Sequence, residues 1–195
     1  MGGSTQAFLQ YYIRDRMLQP SPDSPLASIM PEDDPVRAVC AVAVVGYVAG
    51  LVAAGALSDK IGRKPLVVFA CVLMSVAVVV LGGIRSAQPA DILLWSLVGG
   101  LGNGAYQAVD LALAVDTLPD PAESARYMGI WGVGAFIGAC FGPVLGAPLL
   151  YVFGRLHNDD PVAVAPEGYL ALFLFAAVCL FASAAVLVAC VKNAR

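Results

Sequence analysis

Asp110 is the single charge in an otherwise uncharged run from residue 92 to residue 115. Gln107 and Asn103 precede it at helical spacing, so on a helix all three side chains share one face, and Ser96 extends that face. An ionised carboxylate in hydrocarbon costs at least ~2.5 kcal/mol. Such a group therefore lines a watery path, binds a cation or carries a proton. A structural role is equally open, because about seven residues, or ~10 Å of helix, separate Asp110 from the next loop. At that depth the carboxylate reaches the headgroup region or pairs with another helix.

A second charged cluster lies at residues 55–67, "GALSDKIGRKPLV". Asp59, Lys60, Arg63 and Lys64 stand here between two long apolar runs, framed by Gly55 and Gly62. Gly62 suits the left-handed backbone of a tight turn, and Gly55 suits close approach of two helices. The three cations hold such a turn at the cytoplasmic surface. Asp59, at a helix end, can accept hydrogen bonds from an arginine or from a neighbouring helix N-terminus. A contact of that kind, made in one conformation and released in another, is a latch.

The elements that position these groups follow from composition. The chain is 59% hydrophobic and only 13% charged over 195 residues. Soluble domains sit near ~45–50% apolar and ~25% charged, so a water-soluble globule is excluded. Five runs, roughly 38–57, 66–84, 92–115, 128–153 and 168–191, are long and apolar enough to span a bilayer as helices. The expected organisation is the end of a truncated transmembrane helix at 1–17, an extracytoplasmic Pro/Asp-rich loop at 18–36, and a five-span helical bundle at 37–195. The fold class is thus an all-α, multi-pass integral membrane protein.

Lys60, Arg63 and Lys64 in one loop, and Lys192 and Arg195 at the other end, put the loop and the C-terminus on the cytoplasmic side. Four spans separate the two, which returns the chain to the same face. Arg14, Arg16, Arg37, Arg85 and Arg155 fall on the outer side, so the basic bias is modest. Cys40, Cys71, Cys140, Cys179 and Cys190 lie in or beside spans without CxxC spacing, and read as small packing residues.

The 55–64 stretch resembles the signature loop of the major facilitator superfamily, Gly-x-x-x-Asp-(Arg/Lys)-x-Gly-Arg-(Arg/Lys), met here by Gly55, Asp59, Lys60, Gly62, Arg63 and Lys64. "FLQYYIRDRM" (8–17) resembles the outer end of helix 7 in that family, and "GNGAYQAVDLALAVDTLPDPAESARYMGIW" (102–131) resembles helix 10 with its following loop. The resemblance implies the C-terminal six-helix half of a transporter fold, with the five spans as helices 8 to 12. Gly129, Gly138, Gly142, Pro143 and Gly146 also resemble the helix 5 pattern of antiporter members. The first half, however, carries an intramembrane arginine in helix 4, which 92–115 lacks. The resemblance further implies that Asp59, Arg63 and Asp116 form a conformational latch, Asp116 pairing with Arg63. The plain alternative for Asp116 is a solvated helix end.

Gly134, Gly138, Gly142 and Gly146 recur every fourth residue, as do Gly46 and Gly50. Small faces of this kind pack helices tightly in lipid, and Pro143 and Pro148 add places to bend. Tyr11, Tyr12, Trp95, Trp131, Tyr151 and Tyr169 lie near span ends and read as interface anchors. His157, the only histidine, stands in a loop without a ligand-forming neighbour.

The first functional reading is secondary transport of a small solute by alternating access, with Asn103, Gln107 and Asp110 on the substrate or proton pathway. The second is a partial membrane protein that associates with a full-length transporter. An enzyme is disfavoured, because no His pair, Ser-His set or paired acids converge within the spans. The sequence asks for no cofactor, no metal and no nucleic acid. Its partners are the lipid bilayer, a small-molecule solute with a coupled proton or cation, and either a missing N-terminal half or a dimer partner. "MGGSTQAFLQYYIRDRM" enters in the middle of a span, which favours the missing half.

Overall fold

The computed structural model describes residue 12 and residues 35–83, 89–116, 123–155 and 166–190. Five helices fill these stretches: α1 (Pro35–Ile61), α2 (Arg63–Gly83), α3 (Pro89–Asp116), α4 (Ser124–Arg155) and α5 (Pro166–Cys190). Three begin on proline, whose missing N–H is no loss in a first turn and whose fixed φ already suits a helix. The expectations for the 1–17 helix end (Tyr12 apart), Arg85, His157, Lys192 and Arg195 lie outside the described residues, as does the 18–36 loop up to residue 34, its last two residues opening α1.

With 21 to 32 residues each, the helices are ~30–48 Å long at 1.5 Å per residue, enough to cross a hydrocarbon core of ~30 Å. Four of them, α1, α2, α4 and α5, are also apolar enough to do so. The 28-residue α3 is not among the four, which differs from the expectation of five equivalent spans. Its length suffices, but Ser96, Asn103, Gln107 and Asp110 dilute its apolar character.

That most polar helix packs between two others. It packs along α1 on one side and α2 on the other, α2 continues onto α5, and α5 carries α4. Two sequential pairs, α1–α2 and α3–α4, make only slight contact. In lipid, apolar surface gains little by leaving apolar solvent, so close packing and backbone approach must hold these pairs.

The α1–α3 seam shows how. A Cβ on Gly46 would overlap the Leu97 carbonyl oxygen, and one on Gly50 the Leu101 carbonyl oxygen. The relation is reciprocal: a Cβ on Gly100 would overlap the Ala43 carbonyl oxygen, and one on Gly104 that of Tyr47. Four glycines, two per helix at i,i+4, thus let each backbone rest directly on the other. Cα–H···O contacts of this kind contribute ~0.5–1 kcal/mol each.

Two buried clusters fill the bundle at opposite ends. At the end away from the charged loop, Tyr12, Val39, Leu81, Ile92, Tyr169 and Phe173 pack together. Tyr12 stacks edge-on against Tyr169 and Phe173, with ring centroids 5.2 and 5.4 Å away, and its hydroxyl donates to the Leu81 carbonyl. Tyr12 and Tyr169 are therefore core residues, not the interface anchors expected from their place near span ends. A polar tip that finds a buried acceptor has no need of the interface. Near the loop the core is made of smaller groups, among them Ala54, Val67, Ala70, Cys71, Ala105, Val109 and Ala184. Cys71 fits its expected packing role, whereas Cys40 and Cys140 are exposed.

The outer surface is apolar, as a bilayer requires. α4 is the extreme case, with Phe136 69% exposed and Ile130, Val133, Phe141 and Val144 also facing outward.

Candidate functional site

The charged loop is a single-residue break. α1 ends at Ile61, α2 starts at Arg63, and Gly62 between them has φ 94°. A left-handed residue at this place costs a side chain ~1–2 kcal/mol, and glycine nothing comparable. The Gly62 N–H donates to the Ser58 carbonyl at 3.1 Å, and the Ser58 hydroxyl donates to the Gly55 carbonyl at 2.9 Å. The first of these bonds occupies a carbonyl that the helix end would otherwise leave open. Gly55 differs from its expected role: among the described residues nothing lies within 4 Å of where its Cβ would stand.

Asp59 and Lys60 are exposed, while Arg63 and Lys64 are half-buried. Arg63 turns inward and donates from its guanidinium to the carbonyl of Ala112, in the last turns of α3. A cation at a helix C-terminus meets the negative end of the helix dipole. Asp116 closes the same helix one turn further on; its side chain lies outside the described residues.

On α3, Asn103 and Asp110 are half-buried and Gln107 is exposed. At about 100° per residue, the three sit between the glycines turned to α1 (Gly100, Gly104) and those turned to α2 (Gly99, Gly102). The polar face therefore lies on the side of α3 between its two neighbours. Ser96, further along, is buried, and its hydroxyl has no hydrogen-bond partner among the described residues.

Tyr106 belongs to this group as well. Its hydroxyl interacts with the Asp110 carboxylate, and it packs against the cluster that contains Cys71. Sequence reasoning passed it over, although its spacing of four from Asp110 places the two on adjacent turns. A carboxylate with a phenol beside it can hold a proton, a small cation or a cationic group of a solute.

The glycine row of α4 is less engaged. Gly134 has nothing within 4 Å, Gly138, Gly142 and Pro143 are half-buried, and Gly146 is buried. Toward its C-terminal end the helix meets α5, where a Cβ added to Gly168 would stand 2.8 Å from the Gly154 Cα.

Residues 26–194 match the Major Facilitator Superfamily. The chain is 32% identical to the Multidrug resistance protein Stp of Mycobacterium tuberculosis over 145 residues, which is 73% of this chain and 26% of that protein. It is 30% identical to a triacylglyceride transporter of Mycolicibacterium smegmatis over 115 residues, 57% of this chain and 20% of that protein. A similar protein of Mycolicibacterium hassiacum is 31% identical over 113 residues, 56% of this chain and 20% of that relative. The aligned stretch thus spans about a quarter of the length of the curated relatives, or less.

Proposed function

The chain belongs to the major facilitator superfamily, and from that membership we propose that it forms one part of a secondary carrier that moves a small apolar or amphipathic organic solute by alternating access. The solute class rests on the relatives, whose names refer to drugs and to triacylglycerides. The family itself supports membrane transport and a multi-pass protein in a bilayer. In this reading the α3 polar face forms one wall of the solute path, and the remaining wall comes from a second half. Asp110, with Tyr106 beside it, carries a proton or a cation. Asp59, Arg63 and Asp116 form the latch, with the loop and the C-terminus on the cytoplasmic side.

The observation that carries the proposal is the position of the polar face. Its three polar side chains sit on the helix packed between α1 and α2, flanked on one side by Gly100 and Gly104 against the α1 backbone and on the other by Gly99 and Gly102 against α2. The complete carrier in proteoliposomes tests it. A pH gradient should drive movement of a lipophilic cation such as ethidium, or of a fluorescent acylglycerol. Movement of neither probe above that of empty liposomes contradicts this solute class.

A further inference from the structure

Gly102, Tyr106 and Asp110 recur every fourth residue on α3. Each such step turns about 40° around the helix, so the row winds from one surface to the next. At Gly102 it faces α2, where a Cβ would meet Met74 and the Ala70 carbonyl. Tyr106 follows, half-buried, and packs against the cluster that holds Val67, Ala70 and Cys71 of the same helix. Asp110 ends the row, at the edge where the α2 contact gives way to the polar face of Asn103 and Gln107.

The Tyr106 hydroxyl reaches that edge and hydrogen-bonds the Asp110 carboxylate. A phenol keeps its proton up to pH ~10, so the hydroxyl donates and the carboxylate accepts. Bonds to an ionised acceptor are stronger than neutral ones, and a carboxylate withdrawn from bulk water has most need of one. Of the neighbouring titratable groups, α2 brings the Cys71 thiol, which interacts with both residues. It also brings Arg63, engaged with the Ala112 carbonyl two residues beyond Asp110. From α1, Ala54 joins the packing, while Asp59 and Lys60 are exposed at the loop. A thiol is a weak donor, so the phenol is the stronger partner for the acid.

We propose that Tyr106 is a positioning residue for Asp110: its hydroxyl holds the ionised carboxylate at the α2 edge of the polar face and releases it when Asp110 takes up a proton. A protonated acid is a poorer acceptor, so arrival of the proton loosens both side chains. The role in a transport cycle rests on the proposed function, whereas the bond itself exists without any solute.

Carbodiimide labelling tests this on the complete carrier in liposomes. Dicyclohexylcarbodiimide enters the bilayer and reacts with carboxylic acids in their protonated form, and peptide mass spectrometry reports the adduct on Asp110. Tyr106→Phe keeps the ring against Cys71 and removes the hydroxyl alone. At one fixed, near-neutral pH it should speed labelling of Asp110 by roughly ten- to a hundredfold, the factor carried by a hydrogen bond to a charged group. Tyr106→Gln, whose amide can reach an acid four residues on, should bring the rate back towards that of the wild type. Equal rates in the wild type and Tyr106→Phe overturn the proposal. Fast labelling in both variants overturns it as well, because ring bulk and not the hydroxyl would then shield the acid. No solute is present, so a carrier that moves neither ethidium nor an acylglycerol would count against the proposed function and leave this result standing.

Discussion

Gly104 of α3 lies directly against the carbonyl of Tyr47 on α1, in a space that admits a hydrogen and no side chain. Its counterpart for comparison is Gly134 of α4, which has nothing within 4 Å. Gly104→Ala must force the helices apart, and overpacking of this kind costs ~1–3 kcal/mol. Gly134→Ala should be neutral or stabilise by up to ~1 kcal/mol, because alanine favours the helix. Thermal unfolding in detergent should rank the two variants in that order. Equal melting temperatures would mean that the α1–α3 backbones are not in contact.

Gly62 carries the turn between α1 and α2 with φ 94°. Gly62→Ala should destabilise by ~1–2 kcal/mol, and Gly62→Asn by less, since asparagine visits this region more readily. The ordering Gly above Asn above Ala in thermal unfolding checks the geometry. An alanine variant as stable as the glycine form would rule out the left-handed turn.

The charged loop should respond to its acid and its arginine in the same direction. Arg63→Ala removes a charged hydrogen bond to Ala112, of which ~1.5 kcal/mol is a fair share for a half-buried group. If that bond favours one end state, its loss shifts the ratio of states about tenfold. Asp59→Asn should likewise slow transport without reducing membrane insertion. Initial rates, normalised to the amount of inserted protein, check both; unchanged rates would remove the latch from the account.

Asp110 is the only acid within the α3 polar face. Asp110→Asn should abolish the pH dependence of transport while leaving the fold intact, as judged by an unaltered melting temperature. A variant that keeps the wild-type pH profile would return Asp110 to a structural role beside Tyr106.

These residues were unequally legible in the sequence. The loop at 55–64 could be read because acids and bases are rare in this chain, 13% of it, and here they stand close together between glycines. Gly46 and Gly50 could be read as a close-packing pair, but not their partners. Gly99, Gly100, Gly102 and Gly104 crowd one stretch of α3, and no periodicity says which of them turns to α1. The same limit applied to α4, whose glycine row looked like a packing face although Gly134 stands open. In a bilayer both the lipid side and the protein side of a helix are apolar, so hydrophobic pattern does not separate them. Tyr12 and Tyr169 were misjudged for a related reason: nearness to a span end suits an anchor, while only tertiary structure supplies the Leu81 carbonyl that buries Tyr12.

Water access to the α3 polar face tests the central claim most directly. In the complete carrier, freed of native cysteines and held in its membrane, Asn103→Cys, Gln107→Cys and Leu101→Cys would each be treated with a charged methanethiosulfonate reagent. Gln107 and Leu101 are both exposed on the isolated bundle, yet only Gln107 lies on the polar face. The account predicts that Gln107→Cys and Asn103→Cys react and that Leu101→Cys, facing lipid, does not. An unreactive Gln107→Cys beside a reactive Leu101→Cys would contradict it, placing the polar face away from any aqueous path.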